Sequence, residues 1–243
     1  MPGHGPGSWH PERFPASYRR DCVPDPSKKR VFVTGATGYI GRALVPRLLE
    51  RGHRVRALVR SIEHARLPPE VEVARGDALD AASVMEHCSG FDTFVHLVGT
   101  PKPAPWKARE FVRVDRASAL AALAAARGAA VAHFVYLSVA QPAPVMRAYV
   151  AVRAECERRI TESGIAATFV RPWYVIGPGH RWPLVLTPLY GLLELLPPTR
   201  DRATRLGLVT LDQVVRALIE AVERPPDGTR IVETRAIRAS ARS

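Results

Sequence analysis

From Val31 onward, short apolar runs alternate with segments whose apolar residues recur at helical spacing. Runs at 31–33, 55–59, 71–74, 93–97 and 134–138 are too short for helices and rich in β-branched and aromatic residues, so they read as strands. Between them the pattern predicts helices over 39–51, 62–66 and 80–88, a long alanine-rich helix ending at Arg127, and a helix over 145–163. A strand at 168–170, the apolar stretch 183–197, a strand near Leu208, a helix over 211–223 and a last strand at 230–233 complete the series. Such an order implies parallel strands covered on both faces by helices. Pro46 falls inside the first helix and costs roughly 3 kcal/mol there. Ile40, Leu44, Leu48 and Leu49 still form one stripe and Gly52 supplies a stop, so the helix is retained with an expected kink.

The 243 residues suit one α/β domain. We place it at 30–234, preceded by a flexible Pro- and Gly-rich arm at 1–29 and followed by a basic tail at 235–243. The formal charge of +12 is spread out: the first thirty residues carry a surplus of three, and Arg235, Arg238 and Arg242 stand unopposed near the end. A dense basic block with interleaved aromatics is missing, which argues against sequence-specific nucleic-acid binding and leaves only weak contact with anionic surfaces. Cys22, Cys88 and Cys156 are scattered without metal-site or dithiol spacing, so no metal is expected and a reducing, cytoplasmic setting is the simplest reading. The arm has no signal-peptide core, and 183–197 is too short and too interrupted by Pro188 and Gly191 to span a bilayer.

The first strand runs directly into "TGATGYIGR", with Gly35, Gly38 and Gly41 at three-residue intervals. In a strand-turn-helix unit, these glycines allow a tight turn, approach of the backbone to a pyrophosphate, and close packing of helix on sheet. The helix N-terminus behind them offers free N–H groups to the anion. The spacing therefore predicts a doubly wound, Rossmann-like dinucleotide fold.

The series "VTGATGYIG", "GDALD", "VHLVG", "FVYLS", "YVAVR" and "VRPWYVIGPG" resembles the atypical and extended short-chain dehydrogenase/reductase superfamily over about 30–234. The likeness is greatest to its small NAD(P)H-binding members of the NmrA-like and complex I accessory-subunit type. The resemblance implies a cofactor site formed by Thr34, Gly35, Thr37, Gly38, Tyr39, Ile40 and Gly41, by Gly76, Asp77 and Ala78 near the adenine, by Leu97, Val98 and Gly99 beneath the cofactor, and by Pro172, Trp173 and Tyr174 beside the nicotinamide. His96 reads as a packed strand residue, and Asp77 serves equally well as a helix cap. A small, mostly helical C-terminal cap over about 174–205 is expected, with an apolar pocket walled by Trp173, Trp182, Leu184, Leu189 and Tyr190.

About twenty residues past the glycines, where an NAD enzyme carries an acid for the ribose hydroxyl, this chain has Arg60, followed by Ser61 and backed by Arg42. A cation suits a 2′-phosphate, so NADP(H) is expected over NAD(H). The superfamily's catalytic serine and tyrosine places fall on Ser138 and Tyr149; its lysine place, four residues on, holds Arg153. An adjacent guanidinium at 4 Å could favour phenolate by up to roughly 4 kcal/mol before desolvation. Its planar fork differs in shape from an ammonium. Three readings stay open: an oxidoreductase or epimerase/isomerase on a small apolar carbonyl or quinone; a non-catalytic NADP(H)-binding sensor or accessory subunit; and a solvated pair without a role. A homodimer, and a protein partner as well as a small-molecule substrate, fit the superfamily.

Overall fold

A computed structural model describes residues 28–143, 145–178 and 207–240. Seven parallel strands form the sheet: β1 (Arg30–Thr34), β2 (Arg54–Val59), β3 (Glu72–Arg75), β4 (Thr93–His96), β5 (His133–Leu137), β6 (Ala166–Arg171) and β9 (Thr229–Glu233). They lie in the order β3-β2-β1-β4-β5-β6-β9, so the chain reverses direction of travel between β1 and β4. That is the switch point at which open α/β sheets bind ligands beyond their carboxyl edge. β7 (Tyr174–Ile176) and β8 (Leu208–Thr210) pair separately with each other.

The two faces of the sheet are chemically distinct. Val31, Val33, Val55, Val59, Val95, Val135 and Val170 turn to one side, where α1 (Tyr39–Glu50) and α5 (Leu211–Glu223) pack on them through Leu44, Leu48, Val214 and Leu218. Phe32, Phe94 and Phe134 turn to the other, in register across three neighbouring strands and with ring centroids 5.0 and 5.1 Å apart. Large rings on the sheet require small residues on the covering helix. Ala119, Ala122 and Ala126 supply them from α3, which with α2 (Ala81–Cys88) and α4 (Arg147–Glu162) covers this face. α3 is a continuous helical run: Pro105–Lys107, Ala108–Glu110, a π-helical segment at Phe111–Arg116, and Ala117–Gly128. The π segment matters for the site because it holds one extra residue per turn and redirects the side chains that follow.

Three sequence expectations change. The short helix at 62–66 is a turn, with Ala65 N–H donating to the Ile62 carbonyl and Ile62 exposed. Only Ala65 of that stretch is buried, and with Pro68 and Pro69 close behind, one apolar contact does not hold it helical. The tail placed at 235–243 begins as a helix, α6 (Thr234–Ala239), anchored by fully buried Ile237 and by Arg238 Nε donating to the Leu208 carbonyl. The cap placed at 174–205 starts as β7; most of it, with Trp182, Leu184, Leu189 and Tyr190, lies outside the described residues, as does the arm through residue 27. Pro46 is accommodated inside an unbroken α1.

Candidate nucleotide and substrate site

The residues singled out in the sequence meet along the carboxyl edge of the sheet. β1 delivers the glycine turn, β2 leads into Arg60, β3 into Gly76 and Asp77, β4 into Leu97–Gly99, β5 into Ser138 and β6 into Pro172. Gly35 has φ +82°, and a Cβ there would lie 2.9 Å from the Leu97 carbonyl carbon, so both conformation and the approach of β4 require glycine. A Cβ on Gly41 would stand 2.3 Å from the Gly35 carbonyl oxygen, which shows how tightly α1 is seated against the turn. Helix α1 starts at Gly38 with no side-chain cap and no acid in its first turn. Its orphan N–H groups and positive dipole end therefore face the groove, and the site fits a dinucleotide pyrophosphate. We expect Gly41→Ala to weaken nucleotide binding at least tenfold by pushing α1 off the turn, measured by titration of NADPH fluorescence; an unchanged affinity would contradict this packing.

Arg60 and Arg42 are exposed near the end of β2 and the start of α1, and neither forms an ion pair among the described residues. The Asp77 carboxylate accepts from Leu79 N–H at 2.9 Å and so shapes its own loop, while Asp80 caps α2 through Ala82 N–H. Ser83 Oγ accepts from Asp77 N–H, and a Cβ on Gly76 would meet that hydroxyl at 2.5 Å. His96 is wholly buried between Thr34 Oγ1 at 2.8 Å and Ser118 Oγ at 3.3 Å. Burial first, and then the charge of Arg153, push its pKa down to about 3, so it is a neutral structural group.

The Ser138–Tyr149–Arg153 constellation departs from expectation at its third member. Arg153 Nη2 donates to Asp115 Oδ1 at 2.6 Å, and Nη1 donates to the Leu137 carbonyl at 2.8 Å and to Tyr136 Oη at 3.2 Å. The side chains of this ion pair are 5% and 0% exposed. Asp115 turns inward from the π segment and accepts through Oδ2 from both the N–H and the hydroxyl of Thr100, at 3.0 and 2.6 Å. Gly99 makes room for the pair, because a Cβ there would lie 2.3 Å from Arg153 Nη2. Sequence reasoning missed Asp115 and Thr100. The signal was present: Asp115 interrupts the stripe of Phe111, Ala119 and Ala122, and a carboxylate on a buried helix face needs a cation.

Tyr149 is half-buried, with its ring 4.9 Å from that of Phe111 and 5.2 Å from the Arg153 guanidinium carbon. Burial raises its pKa and the Asp115 charge adds to that, whereas Arg153 opposes both and is outweighed. Desolvation thus outweighs the stabilisation of phenolate that the guanidinium offers. Ser138 is 4% exposed directly after β5, its hydroxyl has no partner, and its N–H donates to the Val170 carbonyl at 2.8 Å. Trp173 and Tyr174 form an edge-on pair, with centroids 5.5 Å apart, on the segment following Pro172. The edge fits a nucleotide, and around Arg153 lie the unpartnered hydroxyl of Ser138, next to Leu137, and the neutral phenol of Tyr149.

Residues 35–180 match the NAD(P)H-binding family. The chain is 30% identical over 226 residues to a 3-diazoavenalumate denitrifying reductase from a Streptomyces species, with 82% of this chain and 74% of that protein covered. It is 30% identical over 197 residues to a ceramide reductase from Caulobacter vibrioides, covering 80% of this chain and 61% of that protein. The chain thus spans about three-fifths of that relative. Among solved structures, the Bordetella bronchiseptica enzyme WbmH in complex with NAD+ superposes with a TM-score of 0.64 at 22% identity, covering 84% of this chain and 75% of that one. A UDP-N-acetylglucosamine 4-epimerase from Bacillus cereus gives 0.64 at 16% identity, with 85% and 78% covered. At these identities the two structures speak to the fold alone.

Proposed function

The chain belongs to the NAD(P)H-binding family, of the atypical short-chain dehydrogenase/reductase type, and from that premise we propose that it is an NADPH-dependent reductase of a small apolar carbonyl or quinone. The observation that carries this reading is the pairing of a buried, unpartnered Ser138 hydroxyl with a Tyr149 phenol held in its neutral form. When bound, the nucleotide supplies hydride from its reduced nicotinamide. Ser138 donates a hydrogen bond to the substrate carbonyl and orients it. Tyr149 passes its proton to the same oxygen as charge develops there, a transfer that is downhill because an alkoxide is far more basic than a phenolate. A phenol whose pKa is raised is a poor base at neutral pH, so the reading favours reduction over alcohol oxidation. Two relatives named as reductases support the direction of this reading, and the partly exposed rings of Tyr149 and Trp173 support an apolar substrate.

Preference for NADP(H) rests on Arg60, just after β2, and Arg42, in the first turn of α1, two exposed cations without carboxylate partners among the described residues. The test is steady-state oxidation of NADPH and of NADH with a panel of aryl ketones and quinones. We expect turnover with NADPH, and Arg60→Glu should raise the NADPH KM tenfold or more while changing that for NADH much less. Equal losses with both coenzymes would remove Arg60 from the specificity role.

A second reading is favoured by one feature. Arg153 is committed to a buried ion pair with Asp115, which suits a protein that binds the nucleotide without hydride transfer, as a sensor or accessory subunit. It predicts tight nucleotide binding and no turnover in the same panel.

A further inference from the structure

Among the described residues, seven buried side-chain nitrogen or oxygen atoms have no hydrogen-bond partner. Most have a local explanation. Arg153 Nε and Glu233 Oε2 belong to groups already paired through their other atoms. His53 Nε2 lies 3.5 Å from Glu223, and His133 Nδ1 and Arg230 Nε lie toward the amino edge of the sheet, away from the site. Two remain, Ser138 Oγ and Gln141 Nε2, and they lie three residues apart on the segment leaving β5. This segment is fixed to its neighbour: Ser138 N–H donates to the Val170 carbonyl at 2.8 Å and Ala140 N–H to the Pro172 carbonyl at 3.0 Å. Val139 and Ala140 between them are buried. Gln141 is thus held where the chain passes the Pro172–Trp173 turn, with an amide nitrogen closed off from solvent and nothing to donate to. A buried donor without an acceptor destabilises a fold, so a position that keeps one points to an acceptor that arrives with a ligand.

We propose that Gln141 is a specificity residue of the substrate site, donating its amide N–H to a second oxygen of the substrate, apart from the carbonyl that Ser138 holds. This rests on the reductase reading and narrows it. The substrate class becomes carbonyl compounds with another acceptor oxygen a few bonds away, such as 1,2-dicarbonyls or α-hydroxy ketones, in preference to simple ketones. A site with a fixed, buried donor discriminates strongly against an analogue lacking the matching oxygen, because that donor is then left unpaired.

The test compares 1-phenyl-1,2-propanedione with propiophenone, which differs from it by that one oxygen, as substrates with NADPH. With the wild-type protein the dione should have the lower KM by about tenfold, the effect of one lost hydrogen bond. Gln141→Leu should raise the dione KM about tenfold while leaving kcat, the propiophenone KM and NADPH affinity unchanged. Gln141→Glu, which keeps the shape and replaces the donor by an acceptor, should raise the dione KM at least as much, and it serves where the leucine variant does not fold. An unchanged dione KM in either folded variant overturns the assignment and leaves the reductase reading intact. Reduction of neither compound by wild-type protein that binds NADPH overturns the assignment of Gln141, and absence of turnover across the whole ketone and quinone panel overturns the reductase reading with it.

Discussion

Asp115→Ala should lower the unfolding free energy by about 3–5 kcal/mol, because it leaves the Arg153 guanidinium buried without its counter-ion. The expectation is specific to this pair. Both side chains are almost fully enclosed, and Thr100 loses the acceptor for its N–H and hydroxyl at the same time. Arg153 stays charged despite burial, with the Asp115 carboxylate as its ionised neighbour, so the arginine has no neutral form to retreat to. For a chain of this size the loss corresponds to a fall of roughly 10 °C in Tm, measurable by calorimetry. Replacing both members, with Asp115→Leu and Arg153→Met, should recover much of the stability, since well-packed apolar residues often equal a buried ion pair. A single Asp115→Ala variant as stable as the wild type would show that Arg153 does not depend on that partner.

Tyr149→Phe should reduce kcat for carbonyl reduction by about 10²–10⁴, the range typical of a positioned general acid. The ring and its contact with Phe111 survive this change, so NADPH affinity and Tm should remain close to wild type. The pH profile follows from the sign of the phenol's shift. Burial raises the pKa above its ordinary value near 10, so the acid form is fully present at neutral pH and is lost only as the pH climbs above that value. Reduction should be flat from about pH 6 to pH 9 and fall at higher pH, whereas oxidation of the product alcohol, which needs the phenolate, should rise over the same alkaline range. A reduction rate that falls already through pH 7 would place a different group in the proton transfer.

The two predictions draw on features that differed in how far the sequence disclosed them. Alternation of short β-branched runs with helical stripes located all seven strands of the main sheet, because buried parallel strands leave an unambiguous pattern. The glycine turn located the nucleotide edge for an equally physical reason, since Gly35 and Gly41 occupy positions that admit no Cβ. Ser138 and the expected cofactor residues share one edge because strand ends in this architecture converge there. What Arg153 touches was not legible from its spacing to Tyr149. Residues four apart share a helix face, but the π segment of α3 decides which side chain meets that face, and a single extra residue in a helical turn leaves no periodic trace. Gly99 illustrates the same limit: it reads as a residue passing beneath a cofactor, yet its missing side chain is where the guanidinium lies. The helix α6 escaped notice because its only buried apolar anchor is Ile237 in a polar six-residue stretch.

Arg153 ties α4 to β5 and α3 through the Leu137 carbonyl, Tyr136 and Asp115, while Tyr149 remains a neutral phenol beside it. Whether hydride leaves the nucleotide is therefore the decisive question, and it has a direct measurement. NADPH carrying deuterium at the transferable C4 position is incubated with the protein and 1-phenyl-1,2-propanedione, and the products are analysed by mass spectrometry. The reductase account predicts one deuterium on the carbinol carbon of the product, dependent on Tyr149. Tight binding of NADPH with no label in any product from this probe or from the ketone and quinone panel would contradict it.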